Sequence, residues 1–254
     1  MRAFLSAASV AMLLLGAAVP AGVAHLALRC TAPAGVTRFE VALPHTARAI
    51  HRGEALVIVA IGSSSTQGVG ASDRAHSYPA LLAEELRRRW PGLAVTVVNK
   101  GVSGETAEQM LARFTRDVLP NRPQLVIWQT GSNQALVSQD VHGYEKTVRE
   151  GIARLKATHT DVILMDPQYA PRMLERPRHK AVVDTIGRVA TDMKVAVFRR
   201  YSVMRHWVTS GKYRMEDIIS HDQLHMNDAS YHCIAILLAD SLVDATRATV
   251  VLHR

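Results

Sequence analysis

One of the adjacent serines Ser63, Ser64 and Ser65, together with Asp222 and His225, supplies the residue types and spacing in this 254-residue chain that suit nucleophilic chemistry. A serine hydroxyl attacks poorly until a neighbouring base takes its proton. A histidine is such a base, and a carboxylate beside it fixes its tautomer and stabilises the imidazolium. Asp222 stands three residues before His225 in His221-Asp222-Gln223-Leu224-His225, so one short turn can present the carboxylate to the ring. Ser64 lies in a Gly- and Ser-rich stretch, Gly62-Ser63-Ser64-Ser65-Thr66-Gln67-Gly68-Val69-Gly70. Two further clusters supply donors. Asn99–Thr106 contains Gly101 and Gly104, where the backbone can approach a ligand and leave N–H groups free. Gly131-Ser132-Asn133 puts a side-chain amide beside a glycine. Each cluster has other readings. The Gly62–Gly70 stretch could cradle a phosphate, although it lacks the Gly-Lys-Ser/Thr of a P-loop and the dinucleotide fingerprint. His221 and His225 could bind a metal, but no third ligand stands at a characteristic spacing. Gly, Asn and Ser also dominate ordinary turns.

The elements that must carry these clusters are legible as an alternation. Ala55–Ile61 is a continuous apolar run of strand length, and similar runs recur at Ala94–Val98, Leu125–Trp128, Val162–Met165 and Val195–Phe198. Such runs belong to strands buried on both faces. Helical stripes separate them: Tyr78, Leu81, Leu82 and Leu86; Ala107, Met110, Leu111, Phe114 and Val118; Tyr144, Val148, Ile152 and Leu155; Val182, Val183, Ile186 and Val189. Thr106 and Gln109 stand in capping-box spacing, and a last apolar helix is predicted over about 228–245. Repeated strand and helix units predict a parallel sheet covered on both faces. Ligands bind such sheets at the carboxyl ends of the strands, which is where three of the clusters fall. The fourth opens the last helix.

Gly62–Gly68, Asn99–Thr106, Gly131–Asn133 and Asp222–His225, in that order, resemble the four sequence blocks of the SGNH (GDSL-type) hydrolases. The resemblance covers roughly residues 55–240. It implies an α/β fold, a flavodoxin-like three-layer α/β/α sandwich on a five-stranded parallel sheet. It also implies Ser64 as nucleophile, Asp222 and His225 as the rest of a triad, and an oxyanion hole from Ser64, Gly104 and Asn133. Ser63 departs from the pattern, because the family block normally reads Gly-Asp-Ser; Met226 departs mildly, where the family often has Pro. Such a site requires no metal or organic cofactor. The implied reaction is hydrolysis of a short acyl ester, first of all an acetyl ester on carbohydrate, through an acyl-enzyme. A lysophospholipase, a thioesterase, an acyltransferase with the same triad and a non-catalytic carbohydrate-binding module are the alternatives. Asp166–Lys180 and Tyr201–Ser220, with their basic residues and Trp207 and Tyr213, are read either as walls of the pocket or as solvated charged loops.

Composition bounds the remaining possibilities. The chain is 48% hydrophobic, which excludes a wholly disordered protein. Two cysteines exclude a disulfide-dense scaffold and a four-cysteine zinc site. Thirty Lys and Arg against 22 Asp and Glu give a formal charge of +8. A basic balance suits either solubility or an anionic partner; no nucleic-acid motif accompanies it, so the partner it would suit is a membrane surface or anionic envelope material. Residues 3–24 are almost purely apolar, with Arg2 ahead of them and small residues at the end. This is the pattern of a secretory signal over residues 1–24, or of an uncleaved N-terminal anchor. Residues 25–50 read as a linker or extension and 51–254 as the catalytic domain. Export, to a periplasmic or extracellular space, would place Cys30 and Cys233 where they could pair. Otherwise Cys233 is a small buried hydrophobe.

Overall fold

Seven apolar or small residues, Leu56–Gly62, form the central strand β1. Strand β2 (Val95–Gly101) lies on one side of it and β3 (Leu125–Gln129) on the other; β4 (Asp161–Met165) and β5 (Ala196–Phe198) follow, giving the order β2-β1-β3-β4-β5. These strands come from a computed structural model that describes residues 30–137 and 140–251. Every pairing is parallel, as the strand runs predict. The register pairs Gly62 with Gly101 and Ile61 with both Lys100 and Trp128, so the carboxyl ends of β1, β2 and β3 lie side by side. The chain order reverses at β1, and a sheet of this topology opens its ligand crevice at that point.

The helices are α1 (Pro44–His51), α2 (Tyr78–Arg89), α3 (Ala107–Ala112), α4 (Ser132–Val137), α5 (Val141–Lys156), α6 (His179–Met193), α7 (Arg200–Thr209) and α8 (Asp228–Val251). Helix α8 packs on α1 and α2 to form one outer layer, while α3, α5 and α6 pack together as the other. The core is the predicted one except at β2, an edge strand and so not buried on both faces: Thr96 is exposed and Val97 and Val98 are only partly buried. Ile58, Val59, Ile61, Val126, Ile127, Ile163 and Leu164 are fully buried between the layers, with Leu82, Leu86, Val148, Ile152 and Ile186 facing them from the helices. The stripe from Ala107 to Val118 is a single helix only as far as Ala112; a π-helical turn continues it over Phe114–Val118. The Thr106 cap forms as its spacing implies, the Thr106 N–H donating to Gln109 Oε1 at 2.8 Å.

Two expectations are corrected. The expected linker is, over residues 30–50, part of the folded unit: Leu43, Ala47 and Ala49 are buried, and α1 is docked by a partner far along the chain. No side chain of its own caps α1. Instead Asp161, at the start of β4, accepts from Thr46 N–H and Thr46 Oγ1, each at 2.8 Å. A cap supplied in trans leaves no local sequence signal. Asp161→Ala is expected to cost about 1–3 kcal/mol by stranding the buried Thr46 N–H, whereas Asp161→Asn retains an acceptor; urea denaturation of the two variants checks this. The second correction concerns Trp207 and Tyr213, which do not wall a pocket. Both are buried and meet edge-to-face at 5.6 Å. Trp207 sits on the inner face of α7 with Val203 and Met204, and its Nε1–H donates to Thr31 O at 3.0 Å.

Cys30 and Cys233 form a disulfide with a Cα–Cα distance of 4.7 Å, joining the first described residue to α8. The secretory signal or anchor expected over residues 1–24 lies outside the described residues. No helix among the described residues is long and apolar enough to cross a membrane.

Candidate active site

The buried run of β1 ends at Gly62, and the chain turns at Ser63 into a single helical turn, Ser64–Gln67. That turn sits hard against β2: a Cβ on Gly101 would lie 2.1 Å from the Gln67 backbone nitrogen, so only glycine fits there. At the first position of the turn Ser64 projects its hydroxyl to His225 Nε2, 2.8 Å away. The other ring nitrogen, Nδ1, bonds Asp222 Oδ2. An ionised carboxylate only accepts, so Nδ1 carries the proton and Nε2 is the acceptor for the Ser64 hydroxyl. Two loops separated by most of the chain thus bring the serine, the histidine and the aspartate into one relay. His225 has both nitrogens engaged in it.

Asp222 is the most heavily bonded member. Its Oδ1 accepts from Ser220 Oγ at 2.7 Å and from the N–H groups of Leu224 and His225, each at 2.9 Å. Partial burial by itself would raise the Asp222 carboxyl. The bonds from the His225 ring, the two N–H groups and Ser220 outweigh it and hold the carboxyl well below the usual carboxylate range. The loop is closed at its base, where Ile219 and Met226 form an antiparallel bridge and Ser220 N–H donates to His225 O at 2.8 Å. A depressed pKa makes the stabilising contribution of Asp222 complete above the usual carboxylate pKa, near 3.8, and progressively lost as pH falls below it. The stability gap between the wild type and Asp222→Asn should therefore narrow as the pH drops through 4, which denaturation midpoints recorded across pH will show.

The expected oxyanion donors gather at the same end of the sheet. Gly104 adopts φ +80°, a left-handed conformation that suits glycine. Its loop is tied to the Ser64 turn, because Gln67 Oε1 accepts from Ser103 N–H at 2.9 Å and Ser103 Oγ at 2.6 Å. Asn133, in the first turn of α4, donates from Nδ2 to Glu105 O at 2.8 Å, one residue beyond Gly104. A primary amide has two hydrogens, so this bond orients the Asn133 side chain and leaves the second hydrogen for a ligand. The N–H of Ser64, at the start of its turn, has no partner within that turn.

Three buried polar residues that the sequence reading passed over hold this arrangement. Gln129 closes β3 and takes the place of an acidic anchor: its Oε1 accepts from Ser63 N–H at 2.9 Å, Ser63 Oγ at 3.1 Å and Thr66 Oγ1 at 3.2 Å. Serine at position 63, where the resemblance expects aspartate, is thus matched to a neutral amide and not left unpaired. Arg113, only 5% exposed, braces the strand ends by donating to Lys100 O at 2.8 Å and Gly62 O at 3.3 Å, with Glu105 and Asp117 as its counter-charges. Gln168, after β4, is the third. A polar residue ending an apolar strand run could have flagged Gln129; Arg113 and Gln168 have no comparable signal. Of the two expected pocket walls, Asp166–Lys180 does reach the His225 loop, with Arg172 N–H donating to Gln223 O at 3.0 Å. Tyr169, Tyr201 and His179 cluster on this side, Tyr169 edge-to-face with Tyr201 at 5.3 Å and His179 stacked on Tyr201 at 6.0 Å.

A five-stranded parallel sheet between two helical layers, with serine, glycine, asparagine and histidine delivered by four loops to its carboxyl edge, is the arrangement of the SGNH hydrolases. A two-domain esterase active on acetylated mannans, solved with mannopentaose, shares this fold: the TM-score is 0.71 over 83% of this chain and 56% of that one, at 22% identity. The chain belongs to the Non-GDSL lipase-like family, whose model matches residues 29–248. Among curated relatives, an acetylxylan esterase of Geobacillus stearothermophilus is 30% identical over 122 residues, 44% of this chain and 55% of the relative. The thioesterase 1/protease 1/lysophospholipase L1 of Escherichia coli K12 is 29% identical over 108 residues, 42% and 49% of the two chains. The chain spans about half the length of these curated relatives.

Proposed function

We propose that this protein is a serine esterase that removes short acyl groups, acetyl first among them, from carbohydrate. The observation that carries the reading is the Ser64–His225–Asp222 relay, with Ser64 Oγ 2.8 Å from His225 Nε2 and the ring anchored on Asp222. As Ser64 Oγ attacks the ester carbonyl carbon, its proton passes to His225 Nε2, and Asp222 stabilises the imidazolium. The carbonyl oxygen becomes an oxyanion, met by the N–H groups of Ser64 and Gly104 and by the second Asn133 hydrogen. The tetrahedral adduct collapses, the C–O bond to the alcohol breaks, and His225 returns the proton to the departing oxygen. Water, deprotonated by His225, then attacks the acyl-enzyme and releases the acid and free Ser64. Removing one oxyanion donor typically costs about 100- to 1000-fold in turnover, so Asn133→Ala should lower kcat by that order with little change in KM.

The carbohydrate part of the reading is supported by the acetylated polysaccharides named for the relatives and by the half-buried aromatic cluster of Tyr169, Tyr201 and His179 beside the His225 loop. Export is supported by the apolar residues 3–24 and by a disulfide, which persists in oxidising compartments. The net positive charge suits work near an anionic envelope. Labelling with a serine-reactive phosphonate followed by peptide mapping should place the adduct on Ser64. Acetate release should then be faster from acetylated xylo- or manno-oligosaccharides than acid release from a lysophospholipid or an acyl thioester. An unlabelled protein would overturn the serine mechanism, and the reverse substrate order would overturn the carbohydrate assignment.

A further inference from the structure

Gln168 is 1% exposed and lies after β4, inside the stretch read as a pocket wall but with no role of its own predicted. Its two amide atoms are shared among chain neighbours of Ser64, Asn133 and His225. Oε1 accepts from Ser132 Oγ at 3.0 Å, from Arg200 Nη2 at 3.1 Å and from Ser65 Oγ at 3.4 Å. Nε2 donates to Leu224 O at 3.1 Å. Ser65 follows the nucleophile, Ser132 precedes Asn133, and Leu224 precedes His225. The orientation of the amide is dictated by its surroundings, because a guanidinium can only donate and a backbone carbonyl can only accept. Arg200 is itself immobilised: it is fully buried, and its Nε donates to Asp166 O at 3.0 Å. The hub therefore hangs from a fixed cation at the ends of β4 and β5 and reaches three separate loops.

We infer that Gln168, held by Arg200, is a positioning residue that sets the distance between the Ser64 turn, the Asn133 helix start and the His225 loop. The inference rests on the serine-esterase reading of Ser64. None of its four bonds involves a reacting atom, so Gln168 acts only through its neighbours. The bond to Leu224 O matters most, because the His225 loop has no strand of the sheet to register it. Misplacing a reacting group by about 1 Å can cost on the order of 100-fold in rate.

Two substitutions separate positioning from general packing. Gln168→Met keeps the shape and removes all four bonds. Gln168→Glu keeps the acceptor for Arg200, Ser132 and Ser65, pairs a charge with the buried guanidinium, and replaces only the donor to Leu224 O. Each variant and the wild type are assayed for kcat and KM on a short acetyl ester, for the rate of phosphonate labelling, and for unfolding midpoint. Both variants should lose about 10- to 100-fold in kcat and a similar factor in labelling rate. KM should stay within about twofold, and Gln168→Glu should remain folded at the assay temperature. A merely structural Gln168 would leave folded Gln168→Glu with wild-type kcat and labelling rate, and that result overturns the inference even if Gln168→Met fails to fold. A wild-type protein that the phosphonate does not label at Ser64 overturns the underlying esterase reading instead, so the two failures are told apart by the wild-type control.

Discussion

Ser64→Ala is expected to lower kcat for a short acetyl ester by on the order of 10⁴-fold or more, because the members of a nucleophile–base unit fail together. His225→Ala should be nearly as damaging for the same reason, and the double variant little worse than either single one. The neighbouring serines provide the controls. Ser63→Ala deletes the hydroxyl bond to Gln129 but keeps the Ser63 N–H bond to the same oxygen. Ser65→Ala deletes only a 3.4 Å contact with Gln168. Both should keep activity within about tenfold of wild type, since weak neutral hydrogen bonds contribute on the order of 1 kcal/mol. Wild-type turnover in Ser64→Ala, measured by initial rates on purified protein, would move the nucleophile elsewhere.

Loss of the Cys30–Cys233 bond should produce a large fall in stability. The bond joins residues 203 positions apart, and a cross-link closing so long a loop removes much of the entropy of the unfolded chain. Removing a native disulfide typically costs about 2–5 kcal/mol. The folded side adds to the effect: Thr31, next to Cys30, accepts from Trp207 Nε1 at 3.0 Å and from Lys212 Nζ, so releasing Cys30 loosens a contact that covers α7. Guanidinium unfolding of wild type with and without reductant, and of Cys30→Ala, should give the same lowered midpoint for the reduced and mutant forms. Coincident curves for oxidised and reduced wild type would show that the bond contributes nothing.

The legible and illegible parts of the chain divide by range. Strand β2 lies at the sheet edge and is only partly buried, whereas the runs of β1, β3, β4 and β5 found their places because a strand buried on both faces must be apolar throughout. The helical stripes did likewise, since Tyr144, Val148, Ile152 and Leu155 fall on one face by local geometry alone. Segment 30–50 does not read as part of the fold because what anchors it is remote: α1 takes its cap from Asp161, and Cys30 is bonded to Cys233. Trp207 and Tyr213 were misplaced because an aromatic residue among basic ones reads as a surface, and only the packing of α7 under Thr31 buries them.

The same division holds within the site. Residue type and order along the chain marked four polar clusters, which parallel α/β topology puts on one edge of the sheet, and the resemblance of those clusters to the SGNH blocks implied the set of Ser64, Gly104, Asn133, Asp222 and His225. The Asp222–His225 contact was also legible, being three residues long. Only the tertiary structure decided that Ser64 and His225, 161 positions apart, lie within hydrogen-bonding distance. It alone revealed that Ser63 is satisfied by Gln129 and that Gln168 and Arg200 stand beneath all three loops. Buried amides and guanidiniums have no periodicity of their own; they are recruited wherever folding would otherwise strand a polar group, and which groups those are is known only once the chain has closed on itself.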